Sequence, residues 1–217
     1  MAQTSCEPVG VVLAGGASRR MGQDKALLRS GAGPTLLERT VATVHAAGLR
    51  EVVLSVSTVE QGRALRDAVP AVAGLRLVVD AEPGRGPLGV LYAALTAFPH
   101  HHVLLVACDM PRLDVAALRA LLEKPRDADA VVPRVAGWDQ PLAALYGPAC
   151  RPLTARLLAQ GRLAMRDLLA APGLRVRFLD DAWLARAGVA AAAFDNVNTP
   201  ADLEALHVCD GIPPDNG

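Results

Sequence analysis

Short, mostly apolar runs alternate with segments of helical period through the first half of the chain, and this alternation limits the choice of fold more than any other feature. Gly10–Leu13 (led in by Pro8-Val9), Glu51–Val56, Leu75–Val79 and Val103–Ala107 read as strands. Between them, Leu36, Leu37, Val41 and Val44 recur at helical spacing after Pro34, until Gly48 ends the pattern. Further helices are expected over about Glu60–Val69, over Leu88–Phe98, and from an N-cap at Asp114 through Leu122. Strands that are apolar throughout are buried on both faces, which implies a mostly parallel sheet between two helical layers, a three-layer α/β/α architecture. Ligands of such sheets bind beyond the carboxyl ends of the strands. Here those ends carry Ala14-Gly15-Gly16, Ser55, Asp80 and Asp109.

The second half is less regular. Val131–Val135 and Ala143–Tyr146 read as strands flanking a turn at Gly137–Pro141, Ala149–Gln160 and Met165–Ala170 as helices, and Leu174–Leu179 as a strand. Thr199-Pro200-Ala201-Asp202 has the form of a capping box opening a last helix, and residues 208–217 read as a frayed tail. No repeat or low-complexity linker divides the 217 residues, so one domain is expected, with its two halves at 8–122 and 123–207.

Composition excludes several classes. The 22 basic residues balance the 22 acidic ones, so no broad field draws the chain to nucleic acid or to an anionic membrane. No apolar run approaches the 18 residues of a membrane span, and no basic residue precedes Glu7 as in a secretory leader. Cys6, Cys108, Cys150 and Cys209 are scattered without a CxxC pair, which fits a reduced, cytoplasmic protein.

The stretch Leu13-Ala14-Gly15-Gly16-Ala17-Ser18-Arg19-Arg20-Met21-Gly22-Gln23-Asp24-Lys25 carries the chemistry. Glycines let backbone N–H groups approach a phosphate, and Arg19, Arg20 and Lys25 add positive charge beside them. The spacing is neither GxxxxGK[ST] nor GxGxxG. Asp109, directly after an apolar strand, is well placed to hold Mg²⁺ against a phosphate, although a turn or N-cap role is the commoner use of such an aspartate. Asp80 could accept from the N1–H and N2–H₂ edge of guanine or simply open the following turn. Three adjacent imidazoles, His100 to His102, cannot converge on one ion, and Cys108 has no identifiable base, so neither is expected to act in catalysis.

Four stretches together resemble the molybdenum cofactor guanylyltransferases, which are nucleotidyltransferases of the nucleotide-diphospho-sugar transferase-like fold. They are the Leu13–Lys25 motif, Gly86-Pro87-Leu88-Gly89, Cys108-Asp109-Met110-Pro111, and Asn196-Val197-Asn198-Thr199-Pro200, in order over about residues 8–207. The resemblance implies transfer of GMP from GTP to molybdenum-loaded molybdopterin with release of pyrophosphate. Leu13, Ala14, Gly15 and Gly16 would contact the nucleotide through their backbone. Lys25 and Arg20 would meet the triphosphate, Asp80 would help bind GTP, and Asp109 would bind both GTP and Mg²⁺ with Asn198 approaching the metal. Ser55 stands where that family commonly has Asn, so its nucleotide contact is a departure from the pattern. The resemblance also implies a nucleotide half at 8–122 and a pterin-substrate half at 123–207, with acceptor molybdoenzymes or cofactor-delivery proteins as further partners. Related cytidylyltransferases tend to read Leu-Ala-Ala-Gly, whereas Gly15-Gly16 favours guanine. Another nucleotidyltransferase, or a non-catalytic nucleotide-binding delivery protein, is the competing reading; mere binding would not need the Asp109 metal ligand.

Overall fold

The computed structural model describes residues 7–14, 24–29, 33–70, 74–79, 84–123, 127–199 and 202. Its strands are β1 (Val9–Leu13), β2 (Val52–Val56), β3 (Arg76–Val79), β4 (Val103–Ala107), β5 (Ala130–Val135), β6 (Trp138–Asp139), β7 (Ala143–Tyr146) and β8 (Val176–Leu179). The helices are α1 (Leu36–Ala46), α2 (Val59–Ala68), α3 (Gly86–Ala97), α4 (Val115–Leu122), α5 (Cys150–Ala159), α6 (Met165–Leu169) and α7 (Asp181–Arg186). Strands follow the order β3-β2-β1-β4-β7-β5-β6, with β8 pairing β5. The pairs β1–β2, β1–β4, β2–β3 and β5–β8 are parallel. The strand β7 is reversed between β4 and β5, so β5 runs in the same direction as β4.

The apolar runs behave as their composition requires. All five residues of β1, of β2 and of β4 are buried. Helices α1 and α4 pack together, as do α3 and α5, forming the two outer layers of the expected three-layer α/β/α sandwich. Among the described residues no helix is long and apolar enough to cross a membrane.

Local chemistry sets the helix ends. Thr35, one residue past Pro34, caps α1 in a reciprocal box: its hydroxyl accepts from Glu38 N–H, and the Glu38 carboxylate accepts from Thr35 N–H at 2.7 Å. Asp114 caps α4 as expected. Helix α3 starts at Gly86, two residues before the expected Leu88, because Pro87 fits a first turn that needs no N–H. The expected turn at Gly137–Pro141 contains a two-residue strand: β5 and β6 form a hairpin in which Val135 faces Trp138 across Ala136 (φ 49°) and Gly137 (φ 82°). Helix α7, a single and a half turns long, gave no periodic signal in the sequence.

Gly10 shows how closely α1 lies on the sheet. A Cβ added there would stand 2.8 Å from Val44 Cγ1 and 3.3 Å from Leu49 Cδ2. Val44 is fully buried, and a β-branched side chain in a helix has little rotamer freedom with which to yield. Gly10→Ala should therefore lower the unfolding free energy by about 1–3 kcal/mol in urea titrations, the usual cost of overpacking; an unchanged midpoint would show that α1 can slide.

Candidate active site

The strand register builds the site. Leu13 lies level with Ser55 on one side and with Ala107 on the other. Cys108 N–H extends the β1–β4 pairing by donating to Leu13 O at 3.3 Å. The chain leaving β1 and the chain leaving β4 therefore start side by side, at the edge where a parallel sheet binds ligands.

Asp24 and Lys25 return to this edge in a 3₁₀ turn, Lys25–Leu27. Asp24 Oδ1 caps the turn by accepting from Ala26 N–H at 3.1 Å. Lys25 then reaches across: its Nζ donates to Asp109 Oδ2 at 3.3 Å and to Asn198 Oδ1 at 3.1 Å. The ion pair is only partly shielded, with side-chain exposures of 19% for Lys25 and 26% for Asp109, so it is worth little as a stabilising contact. What it shows is that two oxygens from distant segments converge on one cation.

Asp109 also carries an unmet demand. Its Oδ1 is buried and has no hydrogen-bond partner among the described residues. A buried unpaired polar atom costs about 1–3 kcal/mol, which suits a group waiting for a ligand. Asn198 is held from behind. Val197 is buried, and its N–H donates to Asp109 O at 2.8 Å. Asp202 Oδ2 accepts from the N–H groups of Asn198 (2.7 Å) and Thr199 (2.8 Å), and Asp202 N–H donates to Thr199 Oγ1 at 3.2 Å. The expected Thr199–Asp202 capping box is therefore formed; the helix it would open lies outside the described residues. The two backbone N–H groups, with Lys25 as a lesser contributor, hold the Asp202 carboxyl below its ordinary pKa.

Lys25, Asp109 and Asn198 thus meet at one point. Leu13 and Ala14 end β1 beside them, with Ala14 N–H bonded to Ser55 O at 3.0 Å. Ser55 lies within β2 and is 1% exposed. Gly15, Gly16, Arg20 and Asp80 lie outside the described residues. Two further residues support the site that the sequence did not assign to it. One is Asp202, which sets the Asn198 backbone. The other is Gln61 on α2, whose Nε2 donates to Asp24 Oδ2 at 2.7 Å. The hint of Gln61 was the Thr58-x-x-Gln61 spacing of a helix cap.

A model of the MobA-like NTP transferase domain matches residues 10–176. The chain belongs to the MobA-like NTP transferase family. A probable molybdenum cofactor guanylyltransferase of Pelotomaculum thermopropionicum is 37% identical over 197 residues, covering 91% of this chain and 90% of the relative. The molybdenum cofactor guanylyltransferase of Desulfosudis oleivorans is 30% identical over 196 residues, covering 90% of this chain and 92% of the relative. Among solved structures, the molybdopterin-guanine dinucleotide biosynthesis protein A of Archaeoglobus fulgidus superposes with a TM-score of 0.78 at 24% identity, over 94% of this chain and 100% of that one.

Cys108, next to Asp109, is buried. Burial, reinforced by the neighbouring Asp109 and Asp24 carboxylates, pushes its thiol up to about 12. Burial raises Cys150 to about 12 as well. At pH 8 the thiolate fraction of either is then on the order of one in ten thousand. Brief alkylation at pH 8 with mass mapping should leave both unmodified in the native protein and modified in guanidinium. Labelling of native Cys108 would show that the site admits solvent to a depth the packing excludes.

Proposed function

We propose that this protein transfers GMP from GTP to molybdenum-loaded molybdopterin, giving the guanine dinucleotide form of the cofactor and pyrophosphate. The observation that carries the reading is the convergence of Asp109 and Asn198 on the Lys25 ammonium, in a family whose relatives at 30% and 37% identity are named molybdenum cofactor guanylyltransferases. A terminal phosphate oxygen of the acceptor attacks the α-phosphorus of GTP. The new P–O bond forms there, the bond from the α-phosphorus to the bridging oxygen breaks, and pyrophosphate leaves with the electron pair. The attacking oxygen is already anionic, so no general base is needed.

Catalysis then rests on positioning and charge neutralisation. The backbone of Leu13, Ala14, Gly15 and Gly16 cradles the nucleotide, and Ser55 supports that cradle through the carbonyl that holds Ala14. Lys25 and Arg20 offset the charge that builds on the departing pyrophosphate. Asp80 accepts from the guanine edge. The residues fit Mg²⁺: Asp109 offers a buried, unpartnered carboxylate oxygen and Asn198 an amide oxygen, the hard donors this ion prefers. When bound there, Mg²⁺ supplies further neutralisation of phosphate charge.

The acceptor belongs to the half of the chain at 123–207. Because β5 runs parallel to β4, the β5–β6 hairpin projects from the same sheet edge as Asp109, and it carries Trp138, 76% exposed. An exposed indole on that edge suits a flat pterin ring. The product would pass to acceptor molybdoenzymes or cofactor-delivery proteins in the cytoplasm.

Pyrophosphate release by the purified protein with molybdopterin and GTP, CTP or ATP tests the reading. GTP should be the preferred donor, and preference for CTP would make the protein a cytidylyltransferase instead. Asp109→Ala should lower Mg²⁺-dependent turnover by on the order of 10²–10³-fold, the scale seen when one charge-stabilising group is removed. Turnover unchanged in that variant would overturn the metal and phosphate assignment.

A further inference from the structure

Gln61 makes more contacts than a helix cap requires. Thr58 Oγ1 accepts from Gln61 N–H at 3.1 Å, and Gln61 Oε1 reaches back to accept from Ser57 N–H at 2.9 Å. These two bonds complete the N-terminus of α2, and a glutamate would make both equally well. The amide nitrogen does something a glutamate cannot. Gln61 Nε2 donates to Asp24 Oδ2 at 2.7 Å and to Ala14 O at 3.2 Å. Its orientation is fixed by its partners, since Ser57 N–H can only donate and the other two groups can only accept.

Ala14 and Asp24 flank the stretch Gly15–Gln23, which carries the glycines of the motif. One side chain therefore ties both ends of that segment together. The tie continues into the site. Asp24 uses one carboxylate oxygen for Gln61 and the other for Ala26 N–H, so it is fixed at both oxygens, and the turn it caps presents Lys25 to Asp109 and Asn198. Gly62 permits the approach of α2: a Cβ there would stand 2.6 Å from Leu77 Cδ1, so the helix could not lie as near β3 with a larger residue unless Leu77 moved.

We propose that Gln61 is a positioning residue for the nucleotide: its amide clamps the two ends of the glycine-rich segment and, through Asp24, sets the place of Lys25. The inference rests on the triphosphate-binding role given above to that segment and to Lys25. It separates two functions within one side chain, an oxygen that serves the helix and a nitrogen that serves the ligand. Gln61→Glu tests the separation, because it keeps the cap while placing a carboxylate against the Asp24 carboxylate and the Ala14 carbonyl.

The experiment is calorimetric titration of GTP with Mg²⁺ into four proteins: wild type, Gln61→Glu, Lys25→Ala and the double variant, each with a melting curve. Gln61→Glu should bind GTP about tenfold or more weakly, the scale of a lost hydrogen bond to a charged group, with little change in melting temperature. In the Lys25→Ala background the same substitution should weaken binding by less than about threefold, since groups acting through one another are not additive. An equal loss in both backgrounds, or no loss in either, would overturn the clamp. Should Gln61→Glu also lower the melting temperature, the reversed pair Asp24→Asn with Gln61→Glu decides: recovered GTP affinity supports the clamp and no recovery overturns it. A wild-type protein that does not bind GTP would instead sink the functional reading, and this inference with it.

Discussion

Everything at the site depends on two strands lying side by side that are far apart in the chain. Parallel pairing of β1 with β4 puts Leu13 level with Ala107, and the Cys108 to Leu13 hydrogen bond carries that pairing one residue further. With β1 and β4 fixed at this register, the chain after Ala14 and the chain after Cys108 must leave the sheet at one point. The meeting of Lys25 with Asp109 is the outcome. A shift by one residue would turn every side chain of β1 to the opposite face and press a valine, in place of Gly10, against Val44 and Leu49.

Much of this was legible because β1, β2 and β4 are buried on both faces. Val103–Ala107 and the helix from Asp114 to Leu122 could be read to the residue, since continuous burial leaves an uninterrupted apolar run and the helix begins at a capping aspartate. Asp109 was legible for the same reason, as the first acid after such a run. Arrangements set by tertiary contacts were not. The Thr58-x-x-Gln61 spacing signals a helix cap, but nothing local says that the amide nitrogen turns toward Asp24 and Ala14, 37 and 47 positions away. The sheet reversal at β7 and the two-residue β6 were equally hidden, because both are settled by pairing partners rather than by period. Lys25 and Asn198 were recognised through the family motifs they sit in, not through any pattern that linked them to each other.

The charged groups of the site are held in fixed places within a chain of zero net charge. Lys25 is held at one point by Asp109 and Asn198, while Asp202, held low by two backbone N–H groups, steadies the segment behind. Pre-placed groups of this kind lose little freedom when a ligand arrives.

Asn198 joins Lys25 from 173 positions along the chain, and Val197 fastens that late segment onto Asp109. Domains are synthesised from the amino end at only several residues per second. A growing polypeptide that has paired β1 with β4 still lacks the Asn198 oxygen beside Lys25 until residue 198 has been made. Truncation after Asp109 and before Val197 would therefore leave Lys25 with Asp109 alone and remove the backbone tie that Val197 makes to Asp109.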